Sequence, residues 1–211
     1  MGNETQALEE RVRRLEAQVK TLLARRDDDE RYRVGYGCDL HRFTEGSSLR
    51  LGGIVIPYCQ SLLGHSDADA LLHAIADAIL GAAGVGDIGE LFPDTAEENR
   101  DRDSAEILMI CGEEALKRGW QVVNLDCVVC AQRPKLGPLK KAMRARIAAI
   151  LDVPEDRVNV KAKTGEHVGP VGRLEAIETF ATVLMTRVAR EKERDECVMI
   201  APRFPPKKKR A

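Results

Sequence analysis

The chain has 211 residues, of which 44% are hydrophobic and 32% charged, with 33 Lys and Arg against 34 Asp and Glu. That is enough apolar material for one core plus appendages, and the near-zero net charge with only 4% aromatic residues argues against a nucleic-acid partner. No window approaches the ~20 apolar residues of a membrane span. No apolar leader follows the charged N-terminus, so the expected location is the cytoplasm, with the plastid stroma open if the chain is a processed form.

Residues 5–24 place Leu8, Val12, Leu15, Val19 and Leu22 at alternating spacings of four and three, a heptad seam with Val at a and Leu at d. The pattern predicts an amphipathic helix, either a short coiled coil or a solitary helix, within a segment 1–30 that ends in an acidic linker. Residues 32–38 read as a strand in which Gly35 and Gly37 permit close backbone approach. A turn-rich loop is expected over 43–48. Gly52-Gly53 between Leu49-Arg50-Leu51 and Ile54-Val55-Ile56 is a hairpin signature. After a loop over 59–67, residues 69–83 carry a helical apolar stripe of Leu71, Leu72, Ile75, Ala76, Ile79 and Leu80. The opposite side stacks Asp69, His73 and Asp77 at four-residue intervals.

Residues 86–95 are too rich in Gly and Asp for a regular element. Helices are expected over 103–118, 139–151 and 173–193, strands over 121–131 and 157–162, and loops over 132–138 and 163–172. The expected fold is α/β (α+β): one domain over 31–193, a mixed β-sheet with helices packed on one face. Residues 194–211 form a Pro/Lys-rich tail, expected to be disordered. The six cysteines, Cys38, Cys59, Cys111, Cys127, Cys130 and Cys197, are scattered and read as buried free thiols.

Chemistry concentrates at Asp39 and His41. Two residues apart on a strand, they face one side, and His73 on the following helix supplies a third donor. An O,N,N set with an open fourth position is the form of a catalytic zinc site. Asp77, one turn beyond His73, is placed to accept the other imidazole N–H and so fix its tautomer. Asp69 is placed to do the same or to stay solvated. Asp87, Gly89 and Asp94 put carboxylates and bare backbone in one loop, suited to sugar hydroxyls or to a plain connector. Lys161-Ala162-Lys163-Thr164-Gly165-Glu166 ends a strand with cations, a hydroxyl and a carboxylate, suited to phosphate oxygens and a hard cation.

Five runs together resemble the 2-C-methyl-D-erythritol 2,4-cyclodiphosphate synthase family: Arg33-Val34-Gly35-Tyr36-Gly37-Cys38-Asp39-Leu40-His41-Arg42, Gly64-His65-Ser66-Asp67-Ala68-Asp69 with His73, Gly86-Asp87-Ile88-Gly89-Glu90-Leu91-Phe92-Pro93-Asp94, Gln132-Arg133-Pro134-Lys135, and Val160-Lys161-Ala162-Lys163-Thr164 with Glu166. The match runs in order from about Arg33 to Arg190. The resemblance implies a homotrimer with active sites between subunits. It implies conversion of 4-diphosphocytidyl-2-C-methyl-D-erythritol 2-phosphate into the cyclic diphosphate and CMP, in non-mevalonate isoprenoid synthesis.

The resemblance also implies residue roles. Asp39, His41 and His73 would bind Zn²⁺ or another divalent ion, and Glu166 would help hold Mg²⁺ or Mn²⁺ on the diphosphate. His65 and Ser66 would hold the methylerythritol phosphate end, with His65 and Thr164 steadying the transition state. Asp87, Ile88 and Gly89 would meet sugar hydroxyls, with Phe92 and Asp94 nearby. Ala131, Gln132, Arg133, Pro134, Lys135, Leu136 and Gly137 would cradle cytosine, and Lys163, Gly165 and Arg173 would complete the substrate contacts. Lys163 and Gly165 stand where bacterial members often show Thr. Pro170 and Leu174 replace a frequent Phe and Gly where the family lines a cavity on the trimer axis. Two other readings stay open: a trimeric scaffold without turnover, and a metal-dependent phosphohydrolase.

Overall fold

Two glycines let a strand and a helix meet backbone to backbone, and the layers are built outward from that contact. A computed structural model describes residues 2–29, 31–93 and 95–188. The elements are α1 (Gly2–Asp29), β1 (Tyr32–Glu45), β2 (Ser48–Leu51), β3 (Ile54–Pro57), β4 (Gln60–Leu62), α2 (Ala70–Ala83), α3 (Ile88–Leu91), α4 (Ser104–Lys117), β5 (Trp120–Cys130), α5 (Lys140–Ile150), β6 (Val158–Lys163), α6 (Gly169–Gly172) and β7 (Ala176–Arg187). The main sheet has the order β4-β1-β7-β5-β6, and β2-β3 form a separate hairpin. All pairings are antiparallel except β5 with β6, which α5 joins as a crossover.

One face of the sheet is covered by helices. Gly35 and Gly37 of β1 lie under Ala74, Ala78 and Ala82 of α2, whose small side chains recur every four residues and let the helix backbone reach the strand. Ile177, Thr179, Ala181, Val183 and Met185 of β7 and Leu125, Cys127 and Val129 of β5 are buried on that same face. Thr179 Oγ1 donates to the Ala70 carbonyl oxygen at 2.8 Å, tying the central strand to the start of α2. The buried Asp69 caps α2, accepting from the N–H groups of Leu72 (3.1 Å), Gly52 (2.8 Å) and Gly53 (2.6 Å). Its carboxylate is therefore neither solvated nor bound to the His73 imidazole, and burial pushes the carboxyl up despite the three N–H donors. Gly52 and Gly53 have φ of 63° and 73°, as the two-residue hairpin turn requires.

Among the described residues the other face is bare. It presents Val34, Tyr36 and Leu40 of β1, exposed by 68%, 62% and 49%. Phe180 of β7 stacks beside Tyr36 with ring centroids 6.5 Å apart.

Several expectations need correction, among them the loops expected over 59–67 and 163–172, which hold β4 and α6. The stretch expected as a helix over 173–193 contains strand β7, and its residues beyond 188 lie outside the described ones. Its Ala, Glu, Leu and Met favour helix, but burial alternates along it and β1 and β5 pair with its two edges, so tertiary context decides. The expected loop over 43–48 is largely strand, because β4 pairs with Phe43–Glu45 and carries β1 on to Glu45. The segment 86–95 holds the short helix α3, capped by Asp87. Cys38 and Cys59 are exposed rather than buried. Cys111 and Cys127 are buried, and burial pushes both thiols up to about 12. Cys197 and the tail 194–211 lie outside the described residues. No helix among the described residues is long and apolar enough to cross a membrane.

Candidate active site

β1 delivers Asp39 and His41 to one side of the sheet edge, and α2 lowers His73 onto them. Asp39 Oδ2 lies 2.9 Å from His41 Nε2 and 2.9 Å from His73 Nδ1. The two imidazole nitrogens are 3.3 Å apart. A tetrahedral ion held at ~2.0–2.1 Å by its ligands spaces them by about 3.3 Å, so this triangle has nearly the size a divalent ion needs. It is the group of His, Cys, Asp or Glu side chains that could hold a metal ion among the described residues.

Tautomers support the same conclusion. His41 Nδ1 faces the Leu63 carbonyl oxygen, which can only accept, so this nitrogen carries the proton and Nε2 keeps its lone pair. His73 Nε2 is 2.8 Å from Ser104 Oγ and 3.0 Å from Ser66 Oγ. The Ser104 hydroxyl donates in turn to Asp67 Oδ1, so it receives from His73 and leaves Nδ1 as an acceptor. Two lone pairs and a carboxylate oxygen thus converge, and only a cation or protons can satisfy them. Without metal the protons win in part. Burial would raise the Asp39 carboxyl, but the hydrogen bonds and charges of His41 and His73 hold it well below the usual range. Burial opposes the His41 cation, yet the Asp39 carboxylate outweighs it and holds the imidazole above its ordinary value.

The expected Asp77 support is not there. Asp77 Oδ1 instead accepts from the Ile88 N–H at 2.9 Å and anchors the loop after α2, and burial pushes its carboxyl up against that bond. Ser104 and Asp67 occupy the supporting role. They come from the first turn of α4 and the loop before α2, and no sequence spacing links positions 37 apart. Ser104→Ala is expected to lower metal affinity about 10–100-fold, measured by chelator competition. Unchanged affinity would remove Ser104 from the centre.

A second set gathers at the ends of β5 and β6. Ala131, Gln132, Arg133, Pro134, Lys135, Leu136 and Gly137 line a cavity of about 450 Å³ together with Lys163 and Thr164. Ala162 also lines it, as do Lys140 and His167, which escaped the sequence reading. His167 follows Glu166 in a left-handed backbone turn, with φ of 62° and 49°. Gln132 Nε2 lies 3.2 Å from His167 Nε2. The Arg133–Pro134 peptide is cis. Thr164 Oγ1 donates to Glu166 Oε1, which links Glu166 to this cavity. Gly165 and Arg173 are not in its lining, and Arg173 forms a bidentate pair with Glu175 at 2.8 and 3.0 Å.

His65 is exposed beside Ser66 and accepts through its carbonyl oxygen from the Asp101 N–H at 2.8 Å. Asp87 caps α3 through the Glu90 N–H at 3.0 Å, with Gly89 exposed on the same turn. Arg102 lies over the Phe92 ring at 5.0 Å. Asp94 lies outside the described residues.

Fold and site together define an α/β protein with a candidate divalent-cation centre between β1 and α2 and a separate cavity lined by basic residues. The chain belongs to the YgbB family, which matches residues 32–186. The 2-C-methyl-D-erythritol 2,4-cyclodiphosphate synthase of Neisseria gonorrhoeae is 54% identical over 156 residues, covering 74% of this chain and 98% of its own length. The solved structure of bifunctional IspDF from Campylobacter jejuni is 42% identical with a TM-score of 0.72, over 74% of this chain and 42% of that one. A 2C-methyl-D-erythritol-2,4-cyclodiphosphate synthase structure in its CDP-bound form is 38% identical with a TM-score of 0.67, over 72% of this chain and 99% of that one.

Proposed function

We propose that this chain converts 4-diphosphocytidyl-2-C-methyl-D-erythritol 2-phosphate into 2-C-methyl-D-erythritol 2,4-cyclodiphosphate and CMP. The observation that carries the reading is the convergence of Asp39 Oδ2, His41 Nε2 and His73 Nδ1 with both outer imidazole nitrogens already tied. Its support is 54% identity to a synthase of that name and a likeness to a CDP-bound one.

The substrate carries its own nucleophile. An oxygen of its 2-phosphate attacks the β-phosphorus, the bond to the bridging oxygen breaks, and CMP leaves with that oxygen. No protein nucleophile is needed, and the attack is intramolecular, so orientation alone can supply up to ~7–11 kcal/mol in favourable systems. A divalent ion at Asp39, His41 and His73, zinc by its donor set, would neutralise phosphate charge and act as a Lewis acid. The chain's own groups do the rest. The walls of the cavity from Ala131 to Gly137 hold the cytosine end. Lys163 and the Thr164 hydroxyl meet charge on the transferring phosphoryl oxygens. Glu166, held by Thr164, is the carboxylate for a Mg²⁺ or Mn²⁺ on the diphosphate. His65 and Ser66 hold the 2-phosphate end, and Asp87, Ile88, Gly89 and Phe92 the sugar.

The active unit we propose is a homotrimer in the cytoplasm, with each site completed across a subunit boundary. Two features support it: the bare apolar sheet face at Val34, Tyr36 and Leu40, and a cavity whose lining includes none of the three metal ligands. Purified protein with Zn²⁺ and Mg²⁺ is expected to release one CMP per cyclic diphosphate, followed by phosphorus NMR. Linear phosphate products would mean that water is the nucleophile, and no CMP at all would mean a scaffold.

A further inference from the structure

The helix α1 lies outside the family match at residues 32–186, so relatives do not explain it. It is helical over 28 residues, and Val12, Leu15 and Val19 stand on one side of it, exposed by 46%, 51% and 53%. We infer that this seam is an interaction surface whose occupant is the α1 of a second copy of this chain, aligned in parallel and in register.

The charges flanking the seam select that occupant. With Val12 and Val19 at a and Leu15 at d, Arg11 falls at g and Glu16 at e of the next heptad. In a parallel pair g meets the following e of the partner, so Arg11 faces Glu16 of the other copy twice over. An antiparallel pair instead sets e against e, which brings Glu9 against Glu16 twice and repels. By heptad position the same parallel register sets Glu4 against Glu9, which repels at the N-terminal end. Attraction is therefore concentrated around Leu15. The pairing does not rest on the assembly or the activity of the body.

Arg11 also separates pairing from a solitary helix. Its helical neighbours three and four positions away are Ala7, Leu8, Arg14 and Leu15, with no acidic residue among them. In an isolated helix Arg11→Glu would gain an attraction to Arg14 and strengthen it. In the parallel pair the same change sets Glu against Glu and weakens it. Glu16→Arg alone weakens the parallel pair and relieves the antiparallel one.

The test uses the full chain carrying Leu15→Cys, which in this register faces its own copy and forms an interchain disulfide under mild oxidation. The linked peptide is identified by mass spectrometry, because Cys38 and Cys59 are also exposed. Adding Arg11→Glu is expected to lower the yield roughly fivefold or more, and adding Glu16→Arg on top of it to restore the yield. No 15–15 link, or a yield that Arg11→Glu leaves unchanged or raises, overturns the inference. A link from position 15 to a cysteine at position 12 in a mixed sample, without the 15–15 link, marks an antiparallel pair and overturns it as well.

Discussion

Gly35→Ala is expected to cost about 3 kcal/mol or more, a fall in Tm of roughly 6–12 °C. A Cβ at Gly35 would sit 1.8 Å from the Ala78 carbonyl oxygen, and one at Gly37 would sit 2.1 Å from that of Ala74. Both obstacles are helix backbone, which cannot swing aside as a side chain can. The strand and α2 must separate, and α2 carries His73. The same methyl that destabilises the fold therefore pulls His73 Nδ1 from Asp39 Oδ2, now 2.9 Å away. Metal affinity should fall with Tm in Gly35→Ala and more steeply in Gly37→Ala, whose added methyl also meets Asp77 Cβ at 3.0 Å, one turn from His73. Gly81→Ala is the control on the same helix. An added Cβ there meets nothing within 4 Å, so the change should stabilise by about 0.5–1 kcal/mol through helix propensity. Equal Tm for Gly35→Ala and the parent would refute the close-packed contact.

That contact was legible in the sequence because Gly at alternate strand positions has few other uses. The hairpin at Gly52-Gly53 and the helix now seen as α2 were legible for similar reasons: each rests on a local pattern that burial reinforces. β7 was not. Its alternation of Ile177, Thr179, Ala181, Val183 and Met185 was present, but helix-favouring residues between them masked it. Only the pairing of both edges made the strand compulsory. The site divides along the same line. Asp39 and His41 share a strand, and His73 sits on a readable helix face. The support for His73 comes from Ser104 and Asp67, which meet through the tertiary fold alone. Asp77 had the right spacing for that role, yet its carboxylate went to an orphan N–H at the start of α3. Helical spacing names candidates for a bond, and competing backbone donors decide which of them forms it.

Asp39→Asn is expected to lower CMP release about 10³-fold or more and to empty the metal centre, followed by metal analysis of the purified protein. The asparagine keeps the shape of the side chain, so the loss reports charge. Asp39 also holds the His41 imidazole above its ordinary value, which gives the change a second readout. A proton and a metal ion compete for His41 Nε2. In the parent, metal affinity should fall as pH drops through the raised His41 value. The stability of the metal-free protein follows the opposite sign. His41, raised on folding, contributes below its unfolded value near ~6.5, and its contribution is lost as pH rises through the folded value. Asp39, lowered on folding, contributes above its unfolded value near ~3.9, and its contribution is lost as pH falls through the folded value. The pair thus stabilises the metal-free chain most between roughly pH 4 and 6.5. Bound metal needs the neutral imidazole and moves that optimum upward. Thermal melts across pH with EDTA and with Zn²⁺ should show two displaced maxima in the parent and a single common curve in Asp39→Asn. Two displaced maxima in the variant would mean that the carboxylate is not a ligand.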